Sequence, residues 1–334
     1  MAKQKKVSSC NTHYSGIGGQ AVIEGVMMKN KDRYAVAVRT PEQDINISVE
    51  EYQSFGPDNR IAKLPFIRGV FSFIDSLIIG IRTLNYSAAF YEEEDVKTKR
   101  RQKKRPLDRL FGENADRILS GLTVALSVAM AVALFMLLPY YLSQLLKRWI
   151  VSDMVISIAE GGLRILIFIG YLLLISLMSD IRRTFMYHGA EHKCINCLET
   201  GHELNVDNVM AASRQHKRCG TSFMFLVVFI SVILFMFIRL EEPILRVVVR
   251  LLLIPVIAGI SYEIIRLAGR SDNIFVRIIS APGMFLQKLT TREPDESMVE
   301  VAIASVEAVF DWRAYLLSEF NLVIPYEEEI DYYA

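Results

Sequence analysis

Four of the five histidines fall between residues 188 and 216. The tightest pattern among them is His188-Gly189-Ala190-Glu191-His192. On a helix, His188 and His192 stand one turn apart on one face, the spacing at which two imidazoles hold one metal ion. The order His-x-x-Glu-His is also that of the inverted zinc peptidases, where the glutamate is the general base. Gly189 inside the turn is a poor helix residue and weakens this geometry. Two polar histidines at a membrane interface are the plainer alternative.

A second cluster, residues 214–222, holds His216 and Cys219 three apart at the mouth of a long apolar run. If helix continues past the preceding apolar run, His188 lies roughly 14 Å beyond it, so both clusters meet the same membrane surface. His188, His192, His216 and Cys219 complete a tetrahedral set, and imidazole with thiolate suits zinc better than magnesium or calcium. A closed set of four ligands argues for structure. Three ligands and an open position argue for catalysis, with Glu191 as the base. Cys194-x-x-Cys197 has no second pair beside it, and nothing in the spacing of Glu199 or His202 singles them out. His13 stands alone in a polar stretch and reads as exposed. Two acids lie in apolar surroundings and need partners. Glu263 has Arg266 one turn on, whereas Glu24 has no local partner and requires one from the tertiary structure.

Hydropathy sets the elements that carry these residues. Hydrophobic residues make up 52% of the 334, and mean hydropathy is +0.28. The excess sits in blocks long enough to cross a bilayer. Residues 119–138 and 220–238 are uncharged, 161–179 carries Arg164, and 244–262 carries Arg246 and Arg250. The last two are one turn apart and can snorkel together to the near surface; with Arg164 they also hint at an anion path. Lysine and arginine number nine in 97–117, six in 180–219 and three just after the last block, against two in 147–160 and one in 239–243. This asymmetry predicts a cell-membrane protein with both termini and the 180–219 loop in the cytoplasm. The four cysteines, too few for a disulfide framework, are then reduced thiols. The polar, basic residues 1–11 lack the apolar core of a signal peptide. A net charge of +1 excludes no class of partner.

Residues 17–53 read as a β-unit of three runs, 21–28, 34–39 and 45–52. Gly16, Gly18 and Gly19 before it read as a turn, since no Lys-Ser/Thr follows to make a phosphate loop. Residues 65–89 form a helix with Arg68, Asp75 and Arg82 in one stripe, expected to lie on the membrane, with a fifth span as the alternative. The charge block 92–109 reads as a linker drawn to lipid head groups, and no nucleic-acid motif accompanies it. Residues 273–289 are amphipathic and broken by Pro282-Gly283; 298–320 is a second amphipathic helix opened by Asp295.

Several runs resemble the signatures of the YqhQ-like family of bacterial membrane proteins. They are Ile17-Gly-Gly-Gln-Ala-Val-Ile-Glu-Gly-Val-Met-Met28, Tyr187-His-Gly-Ala-Glu-His-Lys193, Arg218-Cys-Gly-Thr-Ser-Phe223, Ser261-Tyr-Glu-Ile-Ile-Arg266 and Leu289-Thr-Thr-Arg-Glu-Pro294. That family is a domain of unknown function described as a predicted metal-dependent enzyme. The resemblance implies membrane architecture and a metal, with Glu24, His188, Glu191, His192, His216, Cys219 and Glu263 inside signature blocks; it supplies no reaction. Lys217 stands where such sequences often have proline.

The expected protein is therefore an α-helical polytopic membrane protein with four transmembrane helices, a small cytoplasmic N-terminal β-unit and amphipathic helices. Its regions are 1–60, the β-unit; 61–117, interfacial helix and basic linker; 118–270, the four spans with the 180–219 loop; and 271–334, the amphipathic C-terminal region. A divalent-metal site, zinc by its donors, at the cytoplasmic surface implies a hydrolase acting on a lipid or membrane-embedded substrate. A scaffold with structural zinc and, third, a transporter are the alternatives. Membrane lipids are the expected partners.

Overall fold

The computed structural model describes residues 12–53, 63–99, 115–238, 240, 242–268 and 273–324. Cys10, residues 100–109 of the charge block, Arg239, Arg270 and the acidic stretch 327–331 lie outside them. Strands β1 (Gly18–Val22), β2 (Gly25–Asn30), β3 (Arg33–Arg39) and β4 (Ile45–Glu51) form one antiparallel sheet in chain order. Four strands replace the three expected runs, because the first folds back on itself. Val22 pairs with Gly25 across Ile23 and Glu24, and Glu24 takes a positive φ of 48°. Gly25 permits the return, since a Cβ there would lie 2.3 Å from the Ala37 carbonyl oxygen.

Alternation along β2 and β3 sends apolar side chains to both faces. Val26, Met28 and Ala37 join one core; Met27, Val36 and Val38 join another. The second is closed by Ile79, Tyr86 and Phe90 of α1 (Ile67–Lys99). The charged stripe of α1 meets protein: Asp75 accepts from the Tyr52 hydroxyl at 2.8 Å, Arg82 lies 3.7 Å from Glu50, and Arg68 bonds Glu263.

Four helices are long and apolar enough to cross a membrane: 121–148, 153–175, 220–237 and 244–268. The first comprises α2 (Ala115–Val132), a π-turn (Ala133–Leu137) and α3 (Leu138–Leu145), with one tight turn after it. The others are α4 (Asp153–Ile175), α7 (Gly220–Phe237), and α8 with α9 (Pro243–Leu252, Ile254–Ala268). A Cβ on Gly161 would meet Val232 at 2.4 Å, so α4 and α7 cross closely there and run antiparallel.

The stretch 180–219, expected as a loop, is largely helical. Helix α5 (Ser179–Glu199) buries Tyr187, Ala190, Cys194, Ile195 and Leu198 against the first face of the sheet. Those positions recur at helical spacing, which is the reason the segment coils. Helix α6 (Val206–Ala211) follows, capped by Asn205, which accepts from the Asn208 amide at 2.9 Å. Helix α10 (Ile274–Thr290) runs through Pro282 unbroken, and Gly283 lets it sit against Ser222. The expected helix 298–320 is two: α11 (Glu296–Glu307), capped by Asp295 on the Met298 amide at 2.9 Å, and α12 (Trp312–Phe320), capped by Asp311 on the Ala314 amide. α11 and α5 together cover the sheet.

Candidate metal centre

Helix α5 presents His188 and His192 on one face, with ring centroids 4.4 Å apart. Gly189 is tolerated mid-helix because the backbone of Arg292 lies against it; a Cβ would come within 2.0 Å of that carbonyl oxygen. The same segment orients the first imidazole: His188 Nδ1 lies 2.9 Å from the Thr290 carbonyl oxygen. His192 Nδ1 lies 2.7 Å from the Arg214 carbonyl oxygen. A carbonyl only accepts, so both Nδ1 atoms carry protons and both Nε2 atoms turn to the centre.

Cys219 enters from the start of α7, where it is the N-cap and its sulfur accepts from the Thr221 amide at 3.4 Å. His188 Nε2 is 3.2 Å from Cys219 Sγ. One ligand atom from each of His188, His192 and Cys219 lies within 4.8 Å of the others. Around a tetrahedral zinc such atoms stand roughly 3.5 Å apart, so a small contraction closes the set. Burial opposes the Cys219 thiolate, but the adjacent His188 and His192 outweigh it and hold the thiol well below its usual range. Burial likewise opposes the His188 cation, yet Cys219 outweighs it and raises the imidazole to about 9. A metal ion competes for the same nitrogen and sulfur lone pairs as these protons.

Glu191 is buried with its Oε2 lacking a hydrogen-bond partner among the described residues, 4.0 Å from His188 Nε2. Burial raises its carboxyl above the usual range, more than the two imidazoles lower it. Gly19 closes over it, since a Cβ there would meet Glu191 Cγ at 2.9 Å. The glycines read as a turn thus supply part of strand β1 and the wall beside Glu191. A cavity of about 740 Å³ opens here between β1, α1, α5 and the mouth of α7, lined by Gly18, Gly19, Ile79, His188, Cys219 and Met224 among others.

His216 sits beside the three donors without joining their cluster. Its ring centroid is 5.7 Å from that of His192, but its Nε2 faces Glu199 Oε2 at 3.4 Å, and its amide donates to Gln287 Oε1 at 2.9 Å. Burial opposes ionisation of Glu199, but His216 and Arg218 outweigh it and hold the carboxyl at about 2. Glu24 receives its expected tertiary partner in Arg183, with the Tyr187 hydroxyl 3.3 Å away. Glu263 pairs with Arg68, 2.7 Å from its Nε, and accepts from the Phe66 amide; the expected local pair with Arg266 yields to α1. His13 is engaged by Glu319 at 2.9 Å and packs on Phe320. Cys194 and Cys197 are buried thiols, raised by burial, Cys197 to about 12. His202 bonds Thr200 and stays outside the centre. The Thr290 and Arg214 carbonyls are backbone groups and carry no residue-type signal; Thr290 lies in the signature run at 289–294 and Arg214 opens the 214–222 cluster.

Residues 64–312 match the family described as "Protein of unknown function (DUF1385)". The chain is 35% identical over 317 residues to the "Uncharacterized protein YqhQ" of Bacillus subtilis (strain 168), over 91% of this chain and 94% of that one. No solved structure matches it.

Proposed function

We propose that this chain, which belongs to the DUF1385 family, is a multi-pass membrane protein with a metal-dependent hydrolytic site at its cytoplasmic surface. The observation that carries this reading is the pairing of a three-donor set, His188, His192 and Cys219, with a buried carboxylate oxygen of Glu191 that has no hydrogen-bond partner among the described residues. Two imidazoles and a thiolate fit zinc. With His216 turned to Glu199, three protein donors leave a position open, which favours catalysis over a closed structural site. The ion supplies Lewis acidity when bound. The Thr290 and Arg214 carbonyls fix the two imidazoles. Glu191, raised by burial, takes a proton from water and returns it to the leaving group. The cavity between β1 and the helices α1 and α7 suits a substrate drawn from the membrane surface.

The 3.2 Å contact of His188 with Cys219 supports a second reading, a cysteine nucleophile activated by histidine. Zinc analysis and complementation of a deletion strain separate the readings. Under the first, purified chain holds about one zinc, Glu191→Gln keeps it but fails to complement, and His192→Ala loses both. Metal-free protein of unchanged thermal stability would sink the zinc site and leave the cysteine. Full complementation by Glu191→Gln would sink the hydrolase and leave a scaffold with structural metal.

A further inference from the structure

At the opposite end of the apolar helices lies a second charged cluster. The three arginines that the sequence suggested would snorkel or line a path instead turn inward onto one acid. Glu160 of α4 receives Arg164 Nη2 at 2.9 Å and Arg250 Nη2 of α8 at 2.6 Å, with Arg246 Nη1 at 3.9 Å. Glu160, Arg164 and Arg250 are buried, and the Arg246 side chain is 17% exposed. Phe235 lies under Arg164 and Arg250, and Tyr140 under Arg246. Arg164 Nε also reaches the Phe135 carbonyl oxygen at 3.0 Å. Pro139, four residues on, has no N–H to give that oxygen, and Phe135 lies within the π-turn.

These contacts satisfy geometry but not charge. Three guanidiniums face one carboxylate, and among the described residues no other acid is ion-paired with them. Glu242, at the start of α8, is exposed. An uncompensated excess among apolar helices is costly, and an anion from outside relieves it. Arg246 stands three residues inside the start of α8, about 4.5 Å along its axis, close enough to the helix end for a long side chain to reach the head-group region. The Nε and Nη2 of Arg246 donate to the Leu240 carbonyl oxygen, so its Nη1 edge is the one left to meet a phosphate oxygen.

We propose that Arg246, with Arg250 and Arg164 behind it, binds a phosphate group of net negative charge at the face of the helices opposite the histidine centre, either an anionic lipid head group or free phosphate. The inference rests on the membrane reading and is independent of the metal. Chain extracted from membranes is placed in nanodiscs of phosphatidylcholine with or without phosphatidylglycerol, then examined by native mass spectrometry. Wild type should retain phosphatidylglycerol over phosphatidylcholine, and Arg246→Gln should retain about tenfold less. Glu160→Gln removes the competing carboxylate and should tighten retention; a merely structural cluster predicts no gain. If free phosphate is the occupant, inorganic phosphate raises Tm in phosphatidylcholine discs and Arg246→Gln abolishes the rise. Membrane-extracted wild type that neither prefers phosphatidylglycerol nor responds to phosphate overturns the site alone. Recovery of the chain from the soluble fraction without detergent overturns the membrane reading and the site with it.

Discussion

Replacing Gly189 by alanine sets two effects of opposite sign against each other. In an unencumbered helix the change stabilises by about 1 kcal/mol, because alanine surrenders less backbone entropy. In this chain the new Cβ would lie 2.0 Å from the Arg292 carbonyl oxygen, a backbone atom that cannot swing aside. Relief to a tolerable contact needs the two segments to part by about 1 Å. The Arg292 amide is also bonded to the Phe185 carbonyl at 2.8 Å, and His188 Nδ1 to the Thr290 carbonyl at 2.9 Å. Parting by that amount stretches both past hydrogen-bonding range. Overpacking costs typically 1–3 kcal/mol and exceeds the propensity gain, so Gly189→Ala should lower Tm by several degrees. Under the proposed zinc site, His188 loses its orienting carbonyl and zinc affinity should fall with it, about tenfold or more. Thermal unfolding in detergent, with zinc measured on the same samples, tests both. A Gly189→Ala protein that melts higher and binds zinc as wild type does would refute the close packing of α5 on residues 290–294 and the orienting of His188 by the Thr290 carbonyl.

Three further outcomes are expected. The carboxyl of Glu199 sits at about 2 when folded, below its unfolded value, so its contribution is fully present above about pH 4.5 and is lost as pH falls toward 2; Glu199→Gln should flatten the acid limb of a Tm-against-pH curve. His216, lowered chiefly by burial, adds to that limb in the same sense below about pH 6.5, so His216→Gln should flatten its upper part. Val151 is 98% exposed before α4, and Lys217 is exposed near the start of the antiparallel α7; an impermeant thiol reagent on intact cells should label Val151→Cys and spare Lys217→Cys, and the reverse pattern would invert the orientation.

The apolar helices were legible because twenty uncharged residues have few other uses. The metal candidates were legible by residue type, and His188, His192 and Cys219 do converge. His216 illustrates the limit: chain spacing brought it near, but the direction of its ring depends on Glu199, which is 17 residues away and carries no local signal. The helical stripe in α5 could have been read from Tyr187, Ala190, Cys194 and Leu198, yet its many charges disguised it as a loop. The hairpin at Ile23-Glu24 was hidden because a glutamate stands at a positive φ where glycine or asparagine is usual. The inward turn of Arg164 brings it to the Phe135 carbonyl of another helix, a pairing that no single-segment pattern contains.

The covering of the sheet by α11 carries a consequence for the timing of synthesis. Strand β4 ends at Glu51 and α11 begins at Glu296, so the sheet leaves the ribosome with its first apolar face bare. At typical elongation rates α5, the first half of its cover, begins roughly 6–26 s later and α11 roughly 12–50 s later. Val26, Met28 and Ala37 are meanwhile exposed apolar surface on a nascent chain whose long apolar helices are still being made. The cover is complete only when α11 arrives, and Ser305, whose hydroxyl bonds the Ala35 carbonyl, is among the last residues to close it.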